Sequence, residues 1–245
     1  MPNQKVRLAI LFISMLFLPI VINYLSPYLI IDATAQGIIN GSFIVFILLF
    51  VSSLFLGRYW CGHICPVGAL QEFCGKVHDK KAKGGKANWI KYFLWVAWIG
   101  RIAMLAIMIG GYIEINFFYN TESGISIDAP QRYILYLFIV LGLTALVLIA
   151  GKRAGCHYIC WMAPFMVLGT LIKNKFKWPS YHLEAETEKC TQCKTCDKVC
   201  PMSLNVSEMV QESRMQNSEC ILCGACVNNC SQGVIKTAWK WSKKK

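Results

Sequence analysis

Cys190-Thr-Gln-Cys193-Lys-Thr-Cys196-Asp-Lys-Val-Cys200-Pro201 and Cys220-Ile-Leu-Cys223-Gly-Ala-Cys226-Val-Asn-Asn-Cys230-Ser231 are two copies of one spacing, C-x2-C-x2-C-x3-C. In that spacing three thiolates of a run hold one [4Fe–4S] cube and the fourth crosses to the other cube. The rule assigns Cys190, Cys193, Cys196 and Cys230 to one cluster, and Cys220, Cys223, Cys226 and Cys200 to a second. A zinc ribbon would use two C-x2-C pairs and leave the extra cysteine of each run without a ligand role. A disulfide framework would need an oxidising compartment. Pro201 follows the first run, whereas Ser231 stands at the matching place in the second. Neither residue is a ligand, so the exchange bears on hydrogen bonding and solvent access around the cluster.

The pattern is that of a two-cluster bacterial ferredoxin, a small α+β unit, yet most of the chain is something else. Of 245 residues 56% are hydrophobic and only 16% charged, with a mean hydropathy of +0.45, which is the composition of a membrane protein with a small polar appendage. The net charge of +12 is concentrated in residues 1–179, which carry 16 Lys and Arg against 6 Asp and Glu. A nucleic-acid partner is not expected, because a binding domain gathers such charge on its own folded surface.

Four apolar stretches are long enough to span a bilayer: Leu8–Leu25, Ile38–Leu56, Trp89–Ile113 and Tyr133–Ala150. Pro19 and Asn23 interrupt the first, which is tolerable where neighbouring helices satisfy the freed backbone. The loop between the second and third stretches holds Arg58, Lys76, Lys80, Lys81, Lys83, Lys86 and Lys91, and Lys152, Arg153, Lys173, Lys175 and Lys177 follow the fourth. The opposite loops offer Asp32, Glu114, Glu122 and Asp128. Positive charge stays inside, so both termini and the cysteine-rich segment are expected in the cytoplasm of a bacterium, on a multi-pass protein of its cytoplasmic (inner) membrane. Trp161–Ile172 and Pro66–Val77 are too short to cross and read as interfacial or re-entrant helices. The expected domains are 1–173, a four-helix transmembrane domain; 174–189, a polar linker; and 190–245, the two-[4Fe–4S] ferredoxin-like domain. The basic tail ending at Lys245 reads as a solvated end.

An internal repeat carries a second set of thiols. R-Y-W-C-G-H-I-C-P starts at Arg58 and R-A-G-C-H-Y-I-C-W at Arg153, a constant offset of 95 residues, and each copy follows a span and precedes a short apolar helix. The repeat predicts a pseudo-symmetric four-transmembrane-helix bundle with short interfacial helices. Its two C-x3-C pairs, Cys61 with Cys65 and Cys156 with Cys160, together supply the four thiolates of a third [4Fe–4S] cluster. A structural zinc, a redox-active thiol set, or buried cysteines packing as small hydrophobes are the alternative readings.

A C-x3-C-P motif on a membrane hairpin, repeated once and followed by a two-cluster ferredoxin segment, resembles the NapH-type quinol dehydrogenase subunits. The same module is similar to parts of NosR and of the CcoG/RdxA oxidase-assembly proteins. Cys61-Gly-His-Ile-Cys65-Pro66 fits the motif fully, and Cys156-His-Tyr-Ile-Cys160-Trp161 lacks the proline. The resemblance implies a membrane-bound subunit exchanging electrons between quinone, such as menaquinone, and a respiratory partner of the nitrate or nitrous oxide type. Its partners would be lipid, quinone and redox subunits of ferredoxin or cytochrome kind. The alternative it implies is a CcoG-like assembly factor or metal reductase that supports maturation of a metalloenzyme.

Single residues carry further expectations. Arg101 lies inside the third span, where an unpaired charge is costly; it is the candidate contact for a quinone head group. It would otherwise compensate an anionic third cluster, or mark a span that starts later in the sequence. His63 and His157 sit beside the C-x3-C thiols and are expected to hydrogen-bond the sulfurs. Glu114 reads as an exposed loop carboxylate and Cys74 as a packing residue.

Overall fold

The computed structural model describes residues 3–127 and 129–241. Asp128 and the tail from residue 242 onward lie outside the described residues. The chain opens with α1 (Gln4–Leu16) and the short α2 (Leu18–Val21). Pro19 has no N–H for the Met15 carbonyl, and its ring crowds the preceding turn. The helix therefore breaks, and Gln4–Leu16 and Leu18–Leu25 meet at a bend of 58°. A small structure at the far end follows, made of α3 (Pro27–Thr34) and the strand β1 (Ile38–Asn40). β1 pairs in parallel with β2 (Glu114–Asn116), from beyond the third apolar helix. Glu114 is exposed there, as expected of it.

Asn40 caps α4 (Gly41–Leu56), its side-chain oxygen accepting from the Phe43 N–H at 3.0 Å. α5 (Tyr59–His63) and α6 (Pro66–Val77) come next, then α7 (Trp89–Ile109), which Gly110 ends in the left-handed conformation. After β2 come α8 (Pro130–Ala150), α9 (Ala154–Tyr158) and α10 (Met162–Phe176). By length and composition α7 and α8 can cross a membrane, and the bent pair would be a third span if counted as one. The expected second span is shorter than read from the sequence, because Ile38–Asn40 leave the helix for β1 and only 16 residues remain helical.

The repeat is visible as an exchange of helices. α5 and α9 start and end 95 residues apart, α6 packs against α8 of the other repeat, and α10 packs against α4. At the α4–α10 crossing a Cβ on Gly169 would lie 3.1 Å from both the Phe50 carbonyl oxygen and Ser53 Cβ and would overlap the Ser53 hydroxyl. Gly169→Ala is therefore expected to destabilise the fold by about 1–3 kcal/mol, and Ser53→Ala in the same chain to recover part of it. Thermal unfolding in detergent measures both.

The cysteine-rich unit contains α11 (Thr195–Lys198), α12 (Val206–Gln211) and α13 (Ala225–Asn228). Two strands close it: β3 (Ser180–Ala185) pairs antiparallel with β4 (Ile235–Lys240), with Ser180 opposite Lys240. The expected linker 174–189 is corrected here. α10 runs to Phe176, and residues 180–185 form β3, which alternates Tyr181 and Leu183 with polar residues and so covers the unit with one apolar edge.

Candidate iron–sulfur sites

Two cavities in the cysteine-rich unit are lined by thiols. Cys190, Cys193, Cys196 and Cys230 line one, together with Thr191, Gln192 and Val234. Cys200, Cys220, Cys223 and Cys226 line the other, among Met202, Val206, Met215 and Ile221. Each cavity thus takes three cysteines from one run and the fourth from the other. The loops turn through left-handed residues at matching places: Gln192 and Leu222 ahead of the second cysteine, Lys194 and Gly224 behind it. Left-handed non-glycine residues are costly and concentrate at functional sites; alternating the helical hand cups the backbone N–H groups around an anion, an arrangement common at iron–sulfur centres. Four soft thiols, a mainly apolar wall and cupped amides fit a [4Fe–4S] cube.

The two cavities differ in access. Cys193 is exposed and Thr195 hydrogen bonding lowers its thiol pKa, whereas Cys200, Cys223 and Cys226 are buried. Burial raises the Cys200 thiol to about 11 and the Cys220 thiol to about 12. We call the exposed cavity distal and the buried one proximal, because the latter abuts the helical unit. The Gln4 side-chain amide donates to the Cys223 carbonyl at 3.0 Å, and the Ala82 N–H donates to Ser203 Oγ at 3.1 Å.

The repeat brings Cys61, Cys65, Cys156 and Cys160 together against that junction. All but the half-buried Cys160 are buried, and burial raises the Cys65 thiol pKa, with Cys61, Cys156 and Cys160 adding to the effect. The surroundings obey the 95-residue offset. Gln71 accepts from the Cys156 N–H at 3.2 Å and its amide lies 3.6 Å from Cys156 Sγ. Its equivalent, Met166, places Sδ 3.5 Å from Cys61 Sγ. The Gly68 N–H donates to Cys65 Sγ at 3.4 Å, and the backbone of its equivalent, Ala163, lowers the Cys160 thiol pKa by hydrogen bonding.

Arg58 and Arg153, three residues ahead of each pair, are fully buried. Arg153 donates to the Cys61 carbonyl at 2.7 Å and pairs with Glu72, which Arg7 also holds. Burial would raise the Glu72 carboxyl, but Arg153 and Arg7 hold it at about 2, so it is ionised at neutral pH. Arg58 pairs with Glu219 at 2.6 Å, and Lys91 reaches the other oxygen of that carboxylate, also at 2.6 Å. Arg58 Nε and Nη2 and Arg153 Nε are buried and have no hydrogen-bond partner among the described residues. Buried cationic donors without acceptors are expensive, and their unpaired N–H groups beside four thiols fit an anionic iron–sulfur core. Among the described residues no three His, Cys, Asp or Glu side chains converge on one ion position.

The remaining expectations separate here. His63 donates from Nδ1 to the Tyr59 carbonyl at 3.2 Å and stacks on the Tyr59 ring. His157 reaches the Met202 carbonyl at 3.1 Å and the Asn88 side chain. Burial lowers both to about 4, so both are neutral. The hydrogen bonds to sulfur come from Gln71 and backbone amides instead, because the short α5 and α9 turn the histidines away. Arg101 is exposed on the outward side of α7, which runs unbroken from Trp89 past it. The cations whose charges act on the repeat thiols are Arg58, Arg153 and Lys91, and Arg101 is not among them. Cys74 packs toward Thr144 of α8 at 3.9 Å. Sequence reasoning missed Gln71, Met166, Glu72 and Glu219; for the first two, extending the 95-residue offset past the cysteines would have found them.

A family profile described as a 4Fe-4S binding domain matches residues 41–84 and 133–179, one stretch for each repeat. A 4Fe-4S dicluster domain profile matches residues 189–235. An uncharacterised protein of Methanocaldococcus jannaschii is 25% identical over 223 residues, 88% of this chain and 76% of its own length. YccM, a candidate electron transport protein of Escherichia coli, is 23% identical over 83% of this chain and 57% of its own. The ferredoxin-type protein NapH of Escherichia coli is 23% identical over 76% of this chain and 63% of its own. No solved structure matches the chain.

Proposed function

We propose that this chain, which is similar to NapH and YccM and matches two 4Fe-4S profiles, exchanges single electrons between membrane quinone and a soluble-side redox partner through three thiol sets held in fixed succession. Iron–sulfur clusters supply one-electron chemistry at such sites. Cys190, Cys193, Cys196 and Cys230 would hold the distal one, and Cys220, Cys223, Cys226 and Cys200 the proximal one. Cys61, Cys65, Cys156 and Cys160 would hold a third. The observation that carries the reading is the last set: four thiols and two fully buried arginines with unpaired donors, at the junction between the cysteine-rich unit and the apolar helices.

Each residue has a task in this scheme. Arg58 and Arg153 balance negative charge at the third set, and Glu72 and Glu219 keep the two guanidinium groups in place. Gln71 and Met166 fix the orientation of Cys156 and Cys61. Aromatic rings link this set to α7: Trp161, next to Cys160, lies 5.9 Å from Trp98. Arg101 stands one turn beyond Trp98 and faces outward, where it would meet a quinone head group arriving through lipid. The positive loops support a cytoplasmic position for the cysteine-rich unit.

Full-length oxidised protein in quinone-free vesicles tests this. Cluster absorbance is expected to bleach on addition of menaquinol, and Arg101→Ala to slow the bleaching while leaving iron content unchanged. If no quinol reduces any cluster, the quinone reading falls, and reduction of a metal for a maturing partner takes its place.

A further inference from the structure

The junction between the two units is built at two positions that the repeat makes equivalent, 62 and 157. Gly62, next to Cys61, is packed so tightly that a Cβ there would lie 2.3 Å from the Ile221 carbonyl oxygen and 3.4 Å from Cys223 Cα. His157 donates to the Met202 carbonyl at 3.1 Å. Ile221 and Met202 both line the proximal cavity, so the two repeats grip the same cavity wall. One residue, Gly62, lies between a thiol of the repeat set and a thiol-bearing residue of the proximal cavity.

The ion pairs at this junction break the repeat in an informative way. Arg153 takes its carboxylate from Glu72 on α6. By the same offset Arg58 would take one from position 167 on α10, but that residue is Val167. The missing acid is supplied by Glu219, immediately ahead of Cys220, which binds Arg58 and Lys91 together. The cysteine-rich unit thus completes the charge balance of the helical unit's thiol set.

We propose that electrons cross between the proximal and repeat thiol sets at the Gly62–Cys223 contact, and that Glu219 is the positioning residue that holds this contact closed. The inference rests on the reading that the repeat thiols hold a cluster. One electron leaves one set and arrives at the other; the donor side becomes one charge less negative and the acceptor side one more, and no bond forms or breaks. Without the Glu219 carboxylate, buried Arg58 and Lys91 repel each other across the joint, and the cavity wall loses its anchor. A methyl group on Gly62 pushes the same wall away by sterics alone, since backbone atoms stand in its path.

The test uses the full chain, purified anaerobically, as wild type, Gly62→Ala, Glu219→Gln, Glu219→Asp and Gly100→Ala, the last being a glycine with nothing within 4 Å of an added Cβ. Iron per chain, magnetic coupling between partly reduced clusters and hydrogen exchange over residues 219–224 are measured alongside the intramolecular electron-transfer rate. The iron content of Gly62→Ala and Glu219→Gln is expected to match wild type, while their magnetic coupling falls and their transfer slows by roughly tenfold or more, as small misplacements do at reacting centres. Hydrogen exchange over 219–224 should rise in Glu219→Gln, Glu219→Asp should recover the coupling, and Gly100→Ala should match wild type throughout. Wild-type coupling and rate in Glu219→Gln with full iron content would overturn the inference, whether or not Gly62→Ala folds. A wild-type protein with iron for only two cubes would instead overturn the third-cluster reading, and this is seen before any variant is made.

Discussion

Serine in place of Cys156 or Cys61 is expected to lower the iron content of the anaerobically purified protein from about twelve atoms per chain to about eight, because one cube of three loses a ligand. The effect is large because the site has no substitute thiol: Cys74 is the only other cysteine in the helical unit, and it faces Thr144 on α8. Cys74→Ser should therefore leave iron and acid-labile sulfide unchanged. Counting both per chain checks the expectation. About eight of each in the wild type would leave the four repeat thiols without a cluster, and the two buried arginines would then need another anion.

Glu72→Gln is expected to cost about 3–5 kcal/mol of stability, the range seen when one partner of a buried ion pair is removed. Glu72 holds two arginines at once, Arg7 and Arg153, and Arg153 is fully buried. Exposed pairs such as Lys189 with Glu186 should matter little by comparison. Replacing Glu72 and Arg153 together with apolar residues should recover much of the loss in unfolding experiments, since apolar side chains can replace a buried pair at little cost. If the single variant unfolds at the wild-type denaturant concentration, the carboxylate is not the structural centre of the junction.

The cysteine spacing was enough to foresee which thiols would share a cavity, including the exchange of Cys200 and Cys230 between runs. Periodicity of 95 residues likewise located the paired helices and the second thiol set. What it could not reveal was where helices end. Pro19 broke an apolar run that composition alone treats as continuous, and Ile38–Asn40 went to a strand because a partner from beyond α7 was available to pair with it. Residues 180–185 looked like linker because β3 is short and half polar, and its partner β4 lies over fifty residues away in sequence. The charge network was illegible for a similar reason. Glu72 and Glu219 meet Arg153 and Arg58 across 81 and 161 residues, distances over which sequence carries no pairing signal.

The exchange of helices between repeats also dictates an order of manufacture. α6 meets its partner from the other repeat only once α8 has been made, and α4 meets α10, with which it packs most, only when that late helix has emerged. Arg58, encoded early, must wait for Glu219, near the end. A chain growing from its N-terminus therefore carries a half-site with two reactive thiols, Cys61 and Cys65, until Cys156 and Cys160 have been made. Iron is best loaded only once translation has passed the last cysteine, and a truncated chain ending before residue 219 would leave Arg58 without its acid and offer assembly machinery an unfinished receptacle.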